Sequence, residues 1–175
     1  MKDYKTERVV ILKCSLDMGK SIILYRNELV RRSPIEIPDE WPSYSFRGIL
    51  PCYLEQIENG NGALKTWIAA DLLGKRMIGD LMLDEIKGQP NHGYFEMHFI
   101  DKEAESAFLR ECMLLFLHYI VVQYPKKLKA IFTISHAKET YRNSFLRDCG
   151  FHQYEDDGLF LTWKLDITDK EINRE

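Results

Sequence analysis

HFIDKEAESAFLREC, residues 98–112, is the stretch on which the reading of this chain turns. Before it, NHGYFEMHF (91–99) reads as a strand; after it, FLRECMLLFLHYIVVQY (108–124) reads as a long helix buried on most sides. A strand that enters a helix through a short loop gathers backbone N–H groups at the helix N-terminus, which suits a phosphate. Such loops usually carry glycine, so that backbone and phosphate can come close. The loop expected here, Glu103-Ala104-Glu105-Ser106-Ala107, has no glycine and two carboxylates. The sequence therefore predicts a phosphate-binding scaffold whose preference for phosphate is weakened.

Working outward, ERVVILKC (7–14) is β-branched and predicts a first or edge strand. SLDMGKSIILYRNELVRR (15–32) predicts a helix capped by Ser15 or Asp17. The proline-bearing SPIEIPDEWPSYSF (33–46) predicts loop and short turns, and GILPCYLEQIENG (48–60) a second helix with Pro51 near its start and Gly60 past its end. KTWIAADLLGKRMIGDLMLDEIKG (65–88) predicts two strands turning at Leu73-Gly74-Lys75. The long helix is expected to end near Tyr124-Pro125. LKAIFTIS (128–135) is a strand, KETYRNSFLRDCGF (138–151) a helix closed by Gly150, and FHQYEDDGLFLTWKLDI (151–167) a hairpin around Asp156-Asp157-Gly158. The order β α α β β β α β α β β mixes hairpins with crossover helices. It predicts an α+β fold of three layers, with a domain over 1–167 and a frayed tail over 168–175.

The bulk composition narrows the function classes. Hydrophobic residues make up 45% of the 175 and aromatics 12%, enough for a sizeable core. A net charge of -3 and a pI near 6.0 give no basic field for nucleic acid; Arg31-Arg32 and Lys126-Lys127 with Lys129 read as solvated ends of elements. The longest apolar run, Cys112–Val122, is too short to span a bilayer and contains His118. Cys14, Cys52, Cys112 and Cys149 form no C-x-x-C pair, and no signal peptide is seen, so reduced, mostly buried thiols in the cytoplasm are expected. His92, His118, His136 and His152 lack metal-ligand spacing, so no metal is expected. MGKS (18–21) is not a P-loop, because Cys14 stands where its first glycine belongs.

Several pieces, in order, carry a resemblance: TERVVIL at the start, PDEWP at 38–42, TWIAAD with GKRMIGDL across 66–81, GYFEMHF at 93–99 and SFLRDCGF at 144–151. Together, over roughly 7–167, they resemble the GNAT N-acyltransferases, and among them the ribosomal-protein N-terminal acetyltransferases. The resemblance implies acetyl-CoA as acyl donor, with weakened binding. It implies a splayed strand lying along the pantetheine arm at Phe99 and Ile100, and a pyrophosphate loop at Ala104, Glu105, Ser106, Ala107 and Phe108. The family's loop pattern departs at Ala104, Ala107 and Leu109. Its helix Asn and its general-acid Tyr fall on Glu139 and Leu146, so no general acid is assigned.

The resemblance also places Glu96 at the family's strand glutamate. Glu96 and His98, alternate residues of that strand, share a face and are the candidate acceptors of the amine proton. Trp41, Tyr44 and Phe46 either line the acceptor pocket or pin down the long loop. The expected function is acetyl transfer to a primary amine of a small molecule or peptide by direct attack in a ternary complex. The alternative is an inactive protein of this fold that binds a small molecule or a protein. The acceptor and the oligomeric state are not legible.

Overall fold

The computed structural model describes residues 4–60, 64–123 and 128–167. Among them the order is β1 (Tyr4–Lys5), β2 (Val9–Lys13), α1 (Leu16–Leu24), α2 (Arg26–Arg32), α3 (Tyr44–Glu58), β3 (Lys65–Asp71), β4 (Arg76–Glu85), β5 (His92–Phe99), α4 (Lys102–Gln123), β6 (Ala130–His136), α5 (Thr140–Asp148), β7 (His152–Asp156) and β8 (Phe160–Asp166). The strands form a mixed sheet in the order β1-β2-β3-β4-β5-β6-β8-β7, so the α+β class holds. β5 and β6 run parallel, and β6, β8 and β7 are antiparallel neighbours. The predicted end of the long helix at Tyr124-Pro125, the Lys126-Lys127 cluster and the tail at 168–175 lie outside the described residues.

The described residues group into two compact units, one within 1–83 and 97–115 and one within 84–96 and 116–167. In the first, β2, β3 and β4 pair antiparallel, with Val10 opposite Ala70, Ile68 opposite Asp80 and Ala70 opposite Met77. That register puts Val10, Ile68, Ala70 and Met77 on one face, in a core with Ile22 of α1 and Phe46, Leu50 and Tyr53 of α3. The alternate residues Val9, Ile11, Trp67, Ala69 and Leu81 face the other way and are also buried. A strand buried on both faces reads as a continuous apolar run, as β3 does. In the second unit, Ile131, Thr133 and Ser135 of β6 and Leu161, Trp163 and Leu165 of β8 are buried with Phe145 and Leu146 of α5. Ile134, Phe160 and Tyr154, on the strands' other side, are exposed.

Three expectations needed correction. Residues 15–32 form two helices, because the chain turns at Tyr25 (φ -130°, ψ 35°); Ser15 is the cap, its Oγ accepting from Met18 N at 3.2 Å. The next helix starts four residues early, at Tyr44, capped by Ser43, and Pro51 lies in its interior. Burial is split among the cysteines: Cys14 and Cys112 are buried and pushed up to about 11 and about 12, chiefly by desolvation, whereas Cys52 is exposed and Cys149 half-buried. Gly150 closes α5 at φ 89°, in the left-handed region its position requires.

Candidate active site

β5 presents its residues alternately. Gly93, Phe95 and Met97 are buried, and Tyr94, Glu96 and His98 on the opposite side are half-buried. The buried side is fixed by Phe95, whose ring stacks on Phe116 of α4 with centroids 3.8 Å apart. Glu96 and His98 thus come out on one face of the strand, as their spacing predicts. Tyr94 joins them. Its hydroxyl is held well above the usual phenol range, first by burial and then by the charge of Glu96, to which it is hydrogen-bonded.

The backbone of His98 runs close beside Gly79 of β4. A Cβ on Gly79 would meet the carbonyl oxygen of His98 at 2.3 Å, so only glycine fits there. The carbonyl of Gly79 accepts from the Trp41 indole at 3.1 Å, and Ile100 N donates to Ile78 O at 3.1 Å. Asp80, the residue after Gly79, is 2% exposed. Its carboxylate accepts from Ser43 N at 2.8 Å and from Ser43 Oγ at 2.7 Å, and its Oδ1 lies 3.9 Å from His98 Nδ1. Asp80 and Ser43 were not legible as site residues; the available signal was an aspartate inside an apolar strand, since such a group is buried only with partners.

The connection from β5 to α4 differs from the expectation. Ile100 and Asp101 alone separate strand from helix, and Glu103–Ala107 form the opening turns of α4 instead of a loop. The cause is Asp101, whose Oδ1 accepts from Ala104 N at 2.7 Å while its carbonyl accepts from Glu105 N at 3.1 Å. That cap starts the helix at Lys102. Several groups expected to cradle a phosphate are therefore engaged within the chain: the amides of Ile100, Ala104 and Glu105, and from there onward the ladder of the helix. The amides of Lys102 and Glu103 precede the helix's own acceptors. Ala104 and Leu109 are buried, Phe108 lies under the Arg8 guanidinium at 5.1 Å, and Ser106 and Ala107 are exposed.

Of the aromatics expected near the acceptor, Trp41 and Phe46 are each 1% exposed and belong to the core, whereas Tyr44 is 93% exposed. Leu146 is buried, and Glu139 accepts from His136 N at 3.3 Å at the start of α5. Among the described residues no group of three or more His, Cys, Asp or Glu could hold a metal ion, and no helix is long and apolar enough to cross a membrane.

No protein-family model and no curated protein sequence matches this chain. Solved structures do match. A spermidine N-acetyltransferase from Vibrio cholerae superposes with a TM-score of 0.63 at 16% identity, over 97% of this chain and 99% of that one. A ribosomal-protein-S5-alanine acetyltransferase from Vibrio fischeri gives 0.63 at 13% identity, over 97% and 98%. The N-acetyltransferase PseH from Campylobacter jejuni gives 0.58 at 11% identity, over 91% and 99%. At these identities the likeness is one of architecture, and the architecture is that of the GNAT N-acetyltransferases.

Proposed function

We propose that this protein is an N-acetyltransferase that moves the acetyl group of acetyl-CoA to a primary amine, with both substrates bound at once. The observation that carries the reading is the pair Glu96 and His98 on one face of β5, directly before the turn into α4, in a fold whose solved examples above are acetyltransferases. An amine that attacks a thioester forms a C–N bond and must shed a proton; Glu96 or His98 takes it, directly or through a water. The C–S bond breaks, and CoA leaves as the thiolate and is protonated. A backbone N–H near Phe99 would polarise the thioester carbonyl.

The donor's pyrophosphate fits only part of the expected cradle. The amides of Lys102 and Glu103 and the exposed Lys102 side chain favour it; Asp101 and Glu105 oppose it. Binding weaker than a glycine-rich loop would give is expected. The acceptor is an amine of a small molecule or a peptide, with Tyr44 exposed at the start of α3 as a candidate contact. Four cysteines outside any disulfide accord with a reducing compartment such as the cytoplasm.

The test is release of free CoA thiol by the full chain, given acetyl-CoA and a panel of polyamines, amino sugars and peptide N-termini, with the acetylated product identified by mass. Glu96→Gln or His98→Gln should lower kcat at least about tenfold and leave acetyl-CoA affinity, read by calorimetry, within about twofold. Failure of acetyl-CoA to bind even at millimolar concentration would remove the reading.

A further inference from the structure

We infer that Asp80 is the positioning residue for His98, aiming the imidazole and holding the proton it accepts. The inference builds on the acetyl-transfer reading, although its structural part stands without it.

Three observations converge. Asp80 is 2% exposed in a strand otherwise apolar from Met77 to Leu83, and β3 pairs it with Ile68 on the α3 side of the sheet. A carboxylate is kept in such a place only if its charge is met. Ser43 meets part of it with two hydrogen bonds, from its amide to Oδ2 and from its hydroxyl to Oδ1. These contacts lock the carboxylate from one side, and on the other its Oδ1 lies 3.9 Å from His98 Nδ1. That distance is longer than a hydrogen bond. Closing it by about 1 Å would make a charge-assisted bond, and catalytic contacts commonly tighten once substrate is bound.

The chemical consequence is specific. With Nδ1 turned to a buried carboxylate, neutral His98 carries its hydrogen on Nδ1, leaving Nε2 with a bare lone pair. Nε2 then accepts the amine proton, and the resulting imidazolium lies beside an anion that solvent does not screen. Asp80 from β4 stands beside the imidazole of His98, and the segment leading into α3 contributes Ser43, which is neutral. Glu96 is already engaged by the Tyr94 hydroxyl. The pair His98–Asp80 is an arrangement able to take up a proton, and Asp80 acts through the imidazole without touching the acceptor.

Two measurements decide this. Nitrogen NMR of the unmodified protein, with His98 assigned through His98→Gln, should show neutral His98 as the Nδ1–H tautomer, and Asp80→Asn should abolish that preference. An Nε2–H tautomer in the unmodified protein would overturn the inference, whether or not any variant folds and whether or not acetyl transfer is found. With an accepted amine in hand, Asp80→Asn should lower kcat about tenfold and keep both KM values within about twofold. The same substitution in a His98→Gln background should cost nothing further. A loss of equal size in that background would mean that Asp80 acts through the fold and not through His98. If no amine is acetylated, the transfer reading falls, and the tautomer still decides whether Asp80 orients His98.

Discussion

Two strands of this protein hand over to helices, and they do so in opposite ways. β5 reaches α4 across Ile100 and Asp101, and the junction is closed by one exposed carboxylate bonded to the Ala104 amide. β6 reaches α5 across Ala137–Glu139, and Glu139 makes no side-chain cap. There the closure comes from within the helix. Asn143, 4% exposed, sends its Nδ2 back to the carbonyls of His136 at 3.2 Å and Ala137 at 3.1 Å. Its Oδ1 accepts from Ser135 Oγ at 2.5 Å, and that hydroxyl accepts from the Trp163 indole at 2.8 Å. A neutral, buried, fully partnered network holds one junction, and a lone surface charge holds the other. The first kind of closure makes structure; the second leaves a helix end open to solvent, with its electrostatics adjustable at little cost to folding.

The contrast can be broken most severely at the buried junction. Asn143→Ala should strand the Ser135 hydroxyl and take the Nδ2 donor from the Ala137 carbonyl, while the His136 carbonyl keeps the Glu139 amide, and should lower stability by about 3 kcal/mol in urea unfolding. A loss under about 1 kcal/mol would show that water replaces the amide and that the network is not closed. Ser135→Ala, which leaves the Trp163 N–H and one Asn143 lone pair, should cost about 2 kcal/mol by the same measurement.

At the exposed junction the effects are smaller and divide between stability and binding. Asp101→Ala should cost about 1 kcal/mol as a lost cap. Asp101→Asn should keep most of that stability and tighten acetyl-CoA binding roughly fivefold at low salt, with the gain fading as salt is added. Equal affinity of Asp101→Asn and the parent chain in calorimetry at low salt would place the phosphates away from this helix end. The smallest effect is expected for Glu105→Gln: about twofold in the same titration, and a few tenths of a kcal/mol in stability, since Glu105 supports the helix dipole.

The order of elements from β3 onward was legible because it rests on features written locally in the chain. Periodicity marks β3 to β6, Gly150 ends α5, and Asp156-Asp157-Gly158 turns β7 into β8, with Gly158 at φ 85°. Glu96 and His98 were legible as a pair because strand alternation alone fixes their common face. The start of α4 was not. Glycine-free residues 103–107 read as a loop only by analogy with phosphate sites, whereas Asp101 is a strong cap and the residues after it are good helix formers. Asp80 stayed hidden because its role depends on Ser43, 37 residues away in the chain. Trp41 and Phe46 show the same limit: aromatics in a proline-rich stretch fit a pocket wall and a core equally well until burial is known.

Ser43 carries two duties that an engineer would find in conflict. Its hydroxyl accepts from Phe46 N at 3.2 Å, capping α3, and donates to Asp80. Aspartate, an equally good cap, would set a second carboxylate against Asp80; alanine or glycine would free one Asp80 oxygen and leave the cap to water. In a saturation library at this position, a screen for thermal stability and a screen for turnover should therefore rank the variants differently, with threonine the substitution best placed to satisfy both.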